Sequence, residues 1–195
     1  MNVLHGLVVC GGQSTRMGMD KSQLQYHDLP QREWLYELLQ PLCDDVFLSC
    51  NDEQAEDIGD SYPSITDAAA YKHTGPMAAL LSAFRHYPDD SFLVVGCDYP
   101  YIREHHIRKL VNEYNGKTTV YFNDEANVYE PLLGIYTPDM RDVMLAQHTL
   151  GQYSLQWILK QTNAQKIIPD DNDILQSVDT RMGYMEALVK LSQRY

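Results

Sequence analysis

Residues 7–21 read Leu7-Val8-Val9-Cys10-Gly11-Gly12-Gln13-Ser14-Thr15-Arg16-Met17-Gly18-Met19-Asp20-Lys21. The apolar run from Leu4 to Cys10 reads as a buried strand that ends at a glycine pair. Adjacent glycines there let backbone N–H groups approach a ligand that any Cβ would hold away. Arg16 and Lys21 add two cations to the same short loop, and together these features suit a polyphosphate. The spacing matches neither common phosphate motif. Lys21 does not adjoin Gly18, as G-x-x-x-x-G-K-[ST] requires, and the glycines do not follow G-x-G-x-x-G.

Working outward, short apolar runs alternate with helix-period segments. Pro30 can open a helix whose Trp34, Leu35, Leu38, Leu39 and Leu42 share a face. Strands are expected at Val46–Cys50, Ser64–Thr66 and Phe92–Cys97, and a helix with Met77, Leu80, Leu81 and Phe84 in register starts at Gly75-Pro76. Ile102–Tyr114 reads as helix, Thr118–Phe122 and Leu132–Tyr136 as strands, and 138–147 and 153–161 as helices. A short strand at Lys166–Ile168 precedes a last helix with Met182, Met185, Leu188 and Val189 on its apolar face. This alternation predicts one α/β domain over residues 1–195. Its expected architecture is a Rossmann-like three-layer α/β/α arrangement around a mostly parallel sheet. Ligands of such sheets sit beyond the carboxyl ends of the strands. Gly11-Gly12, Asn51, Asp67 and Asp98 each follow an apolar run, so all four are expected on one rim.

The 195 residues carry 15 Lys and Arg against 27 Asp and Glu, a formal charge of −12. That balance excludes nucleic acid and an anionic membrane as main partners, since both need broad positive surface. An apolar fraction of 44% with 22% charged residues is that of a soluble globular chain. No membrane-spanning run or basic leader is seen, so a cytoplasmic protein is expected. Cys10, Cys43, Cys50 and Cys97 lack C-x-x-C spacing and read as buried, reduced thiols.

Gly-Gly-x-Ser-x-Arg-Met-Gly-x-Asp-Lys after a hydrophobic strand resembles the signature of nucleotidyltransferases with the nucleotide-diphospho-sugar transferase fold. The chain looks most similar to the molybdenum cofactor guanylyltransferases. The resemblance runs in order through Asp67, Gly75-Pro76-Met77-Ala78-Ala79-Leu80, Gly96-Cys97-Asp98-Tyr99-Pro100-Tyr101-Ile102 and Glu130-Pro131-Leu132-Leu133-Gly134-Ile135-Tyr136. It implies transfer of GMP from GTP to the phosphate of molybdopterin or its molybdenum-loaded form, with release of pyrophosphate. Another nucleotidyl transfer, to molybdopterin from CTP or to a sugar or alcohol phosphate, is the alternative. A non-catalytic nucleotide or cofactor carrier is a third reading. Transient contact with other molybdenum cofactor proteins is compatible with the first.

The resemblance also assigns residues. Arg16, Lys21 and Asp98 would be catalytic, with Asp98 a ligand of Mg²⁺, a hard cation that favours carboxylate and phosphate oxygens. Val9, Cys10, Gly11, Gly12, Ser14, Lys21, Asn51, Asp67, Gly75 and Asp98 would bind nucleotide, with Ser49 as an alternative to Asn51. Where the family carries Asn-x-Asn-Thr-Pro, this chain has Ser177-Val178-Asp179-Thr180, and Asp179 can still serve as a second metal ligand. Plainer readings stand beside these. Asp98 can cap a turn, Asp67 can form an Asx-turn, Asn51 can simply end a strand, and Asp179 or Thr180 can cap the last helix. His105-His106 and the acidic Asp170-Asp171-Asn172-Asp173 stretch read as solvated surface.

Overall fold

A computed structural model describes residues 3–10 and 20–193. Within them seven strands form one sheet in the order β3-β2-β1-β4-β6-β5-β7. The strands are β1 (Leu4–Val9), β2 (Val46–Cys50), β3 (Ser64–Thr66), β4 (Ser91–Gly96), β5 (Thr119–Asn123), β6 (Val128–Tyr136) and β7 (Gln165–Ile167). β1, β2, β3 and β4 run parallel, as does β7 beside β5, while β6 lies antiparallel between β4 and β5. The reversal follows from a four-residue turn, 124–127, where Asn127 takes a positive φ of 55° and Ala126 N donates to the Asn123 side chain.

Alternating strand residues feed two cores. Leu7 and Val9 point to a layer with α3 (Pro76–His86), α5 (Pro138–Thr149) and α6 (Leu155–Gln161). Val8 and Cys10 face α1 (Gln31–Leu39) and α4 (Glu104–Glu113). α3 buries every residue from Met77 to Phe84, which makes it the central helix of its layer. All four cysteines are free; Cys10, Cys50 and Cys97 are buried as expected, whereas Cys43 is only partly buried. No helix among the described residues is long and apolar enough to cross a membrane.

The structure corrects several expectations. α2 (Asp52–Ile58) is an additional helix, because Asp-Glu-Gln-Ala-Glu-Asp-Ile carries no apolar period; its signal lies in the capping box of Asn51 and Gln54. β6 begins at Val128 rather than Leu132, with Pro131 accommodated where the register slips between Val120 and Phe122. α7 (Arg181–Ser192) is turned relative to the expected face. Tyr184, Ala187, Leu188 and Leu191 pack inward, while Met182, Met185 and Val189 lie exposed. The Tyr184 hydroxyl, donating to the Gln25 carbonyl at 3.1 Å, fixes that rotation. His106 is buried too, its Nδ1 accepting from Arg103 N at 3.0 Å to cap α4. In the acidic stretch Asp171 caps a 3-10 turn, Asn172–Leu175, while Asp170 remains exposed beside Lys109.

Candidate active site

The carboxyl ends of the parallel strands enclose a cavity of about 650 Å³, within the range of small-molecule sites. Val9 of β1 with Cys10 just after it, Ser49 of β2 with Asn51 just after it, Asp67 after β3, Gly75 before α3, and Cys97 and Asp98 after β4 all line it. Lys21 lines it as well. Of the expected residues, Gly11, Gly12, Ser14 and Arg16 lie outside the described residues.

Asp98 sits where β4 ends. Burial pushes its carboxyl up to about 6, Lys21 counteracts that, and Asp179 adds to it. Its Oδ1 is buried and has no hydrogen-bond partner among the described residues. A Cβ on Gly96 would come within 2.5 Å of that oxygen, so glycine leaves the cradle in which the carboxylate rests. A buried, unpartnered carboxylate oxygen fits a hard cation. No group of three His, Cys, Asp or Glu among the described residues could hold a metal by itself, so further oxygens would come from phosphate and water, as Mg²⁺ prefers. The backbone carbonyl of Asp98 accepts from Val178 N at 2.8 Å, which brings the segment before α7 to the end of β4.

That segment delivers Asp179 to Lys21, and Lys21 Nζ donates to Asp179 Oδ1. Thr180, not Asp179, caps α7, its hydroxyl accepting from Gly183 N at 3.1 Å. Beyond Asp98, the Tyr99 hydroxyl donates to Glu130 at 2.9 Å. The Glu130 carboxyl is raised mainly by burial, with Asp98 adding to the effect.

The β2–β3 end carries a second polar group. Asp67 is half-buried and raised by burial, with Lys72 pulling it down and Asp52 pushing it up. Lys72 Nζ pairs with Asp52 at 2.5 Å, and both line the cavity with His73, which holds a positive φ of 71°. Asn51 lies on the rim, but its side-chain oxygen accepts from Gln54 N at 2.9 Å and so caps α2. Sequence reasoning missed Asp52, Lys72 and His73. The adjacent Lys72-His73 pair, just before Gly75-Pro76 and five residues past Asp67, was the available signal.

An open sheet with one β-strand reversed and a cavity of mixed polar and apolar lining across its parallel carboxyl ends defines an α/β protein with a small-molecule site at the strand ends. The description "MobA-like NTP transferase domain" matches residues 6–166, and the chain belongs to that family. A Synechocystis protein named molybdenum cofactor biosynthesis bifunctional protein is 32% identical over 86% of this chain, which spans only 49% of that relative's length. A Bacillus cytotoxicus protein named probable molybdenum cofactor guanylyltransferase is 22% identical, the match covering 96% of this chain and 98% of the other. Among solved structures, molybdopterin-guanine dinucleotide biosynthesis protein A from Archaeoglobus fulgidus superposes with a TM-score of 0.76 at 22% identity, covering 97% and 99% of the two chains. The fold is that of the nucleotide-diphospho-sugar transferases.

Proposed function

We propose that this protein is a cytoplasmic, Mg²⁺-dependent guanylyltransferase that moves GMP from GTP to the phosphate of molybdopterin, or of its molybdenum-loaded form. The observation that carries this reading is Asp98, whose buried Oδ1, without a partner among the described residues, stands in the same nucleotide-sized cavity as Lys21. The relative named probable molybdenum cofactor guanylyltransferase and the solved structure named molybdopterin-guanine dinucleotide biosynthesis protein A support the choice of GTP and molybdopterin.

In the reaction an acceptor phosphate oxygen bonds to the α-phosphorus of GTP, and the bond from that phosphorus to the β-phosphate bridge breaks. The leaving pyrophosphate takes the electron pair. The acceptor is already an anion at neutral pH and needs no general base, so catalysis is positioning and charge compensation. Lys21 offsets charge that grows on the leaving group, assisted by Arg16 and by backbone amides of Gly11 to Ser14. Val9, Cys10, Asn51 or Ser49, Asp67 and Gly75 frame the base and ribose. Asp98 would hold the cation, with Asp179 as a second candidate. When bound, Mg²⁺ supplies Lewis-acid stabilisation of phosphate oxygens.

Thermal-shift titration with GTP, CTP, ATP and UTP plus Mg²⁺, followed by pyrophosphate release with molybdopterin, tests the proposal. A GTP-selective shift and acceptor-dependent release are expected. Preference for CTP overturns the guanylyl assignment, and binding without release across acceptors overturns catalysis.

A further inference from the structure

Gln54, the third residue of α2, makes more hydrogen bonds than capping its helix requires. It is buried, and its Oε1 accepts from Asn51 N at 3.1 Å to complete the capping box. The other end of the same amide leaves the helix altogether. Nε2 donates to the Cys10 carbonyl at 3.2 Å and to both carboxylate oxygens of Asp20, at 3.1 and 3.0 Å. Both Nε2 partners can only accept, and the Asn51 N–H can only donate, so one orientation of the amide satisfies all of them.

Cys10 and Asp20 are the two residues that flank the Gly11–Met19 segment. Asp20 also accepts from Ser22 N at 2.9 Å, which caps the 3-10 turn that begins with Lys21. A connected path therefore runs from the end of β1 through Gln54 to Asp20, and from Asp20 to the backbone that carries Lys21. Each link is a hydrogen bond to a buried or half-buried group, where an unmade bond costs most.

We propose that Gln54 is a positioning residue for the phosphate-binding end of the cavity: its amide sets the spacing between Cys10 and Asp20 and thereby the place of Lys21. This rests on the reading that residues 11–21 hold the triphosphate. Gln54 acts through Asp20 and touches no substrate. Of the residues assigned to the base and ribose, Nε2 meets Cys10 alone among the described residues, and Cys10 is also held by its own N–H, which donates to the Ser49 carbonyl at 2.9 Å.

Gln54→Glu is the informative change, because Glu keeps the capping oxygen for Asn51 N while turning a carboxylate oxygen toward Asp20 and the Cys10 carbonyl. Calorimetric titration of the full chain with GTP and with GMP reads the effect. GTP affinity should fall about tenfold to a hundredfold, the range for outer-shell partners, while GMP affinity stays within about twofold. Combining Gln54→Glu with Asp20→Asn supplies an amide donor to the introduced carboxylate and should recover much of the lost GTP affinity. Should Gln54→Glu fail to fold, Asp20→Ala must show the same GTP-selective loss. Equal losses for GTP and GMP, or no loss at an unchanged thermal midpoint, overturn the proposal. A wild-type protein that binds GMP as tightly as GTP overturns instead the assignment of residues 11–21 to the triphosphate.

Discussion

Lys21 and Asp179 stand 158 positions apart in sequence and form an ion pair at the edge of the cavity that Lys21 lines. The sequence alone assigns them separate roles, one on the triphosphate and the other on the metal. Their contact makes Asp179 the group that aims Lys21. Lys21→Ala should lower pyrophosphate release by about 100- to 1000-fold, by analogy with loss of one oxyanion donor, with the thermal midpoint little changed. Asp179→Asn keeps an acceptor for Nζ and should cost less than Asp179→Ala. If aiming Lys21 is all that Asp179 does, Asp179→Ala should add nothing in the Lys21→Ala background. A further loss of about tenfold there would show Asp179 acting by itself, as a metal ligand would.

The Asp98 carboxyl predicts a pH-dependent conflict between stability and function. Folding raises it from 3.8 to about 6, mainly by burial. Between those values the folded chain binds more protons than the unfolded one. The stability that protonated Asp98 contributes is therefore full below 3.8 and lost as pH rises through about 6. Asp98→Asn is neutral throughout and should be more stable than the wild type at pH 7–8, by about 3 kcal/mol. The two should converge near pH 4. Urea melts of the metal-free proteins across this range check the prediction, and parallel curves at all pH values would refute it. The same variant should release almost no pyrophosphate.

Much of this site was legible because parallel strands bring their carboxyl ends to one rim. Asn51, Asp67 and Asp98 each end an apolar run, and the cavity gathers all three. Local pattern carried that information. Pairings between distant segments did not show, since neither Lys21–Asp179 nor Lys72–Asp52 leaves a periodic trace. α2 was hidden for a related reason: it is held by caps rather than by an apolar stripe. At α7 the pattern misled, because methionine and valine gave the stronger apolar signal while the smaller Ala187 sits at the close contact.

His106, which does not line the cavity, offers an independent pH test. Burial, with the neighbouring His105 adding to it, pushes its imidazole down from 6.5 to about 4. Neutral His106 caps α4, so its contribution is present above 6.5 and lost as pH falls toward about 4. His106→Asn retains a side-chain acceptor for Arg103 N and cannot be protonated in this range. Its thermal midpoint should be at or below that of the wild type at pH 7.5, but it should decline less on acidification to pH 4.5. Equal acid sensitivity of the two proteins would place the titration elsewhere.

Gly134 tests the strand reversal that sets the width of the sheet beside the site. It pairs with both Val94 and Val120, toward the end of β6. A Cβ there would meet the Thr119 carbonyl oxygen and Val120 Cγ2 at 2.8 Å, and Val120 Cα at 3.0 Å. Trimming Val120 could relieve one of these contacts, but the Thr119 carbonyl and Val120 Cα belong to every residue that could stand there. Gly134→Ala must therefore part β5 from β6, at a cost of about 1–3 kcal/mol typical of overpacking. Adding Val120→Ala should recover little of it. Denaturant unfolding checks both, and a full recovery in the double variant would mean that the side chain, not the backbone, demands glycine.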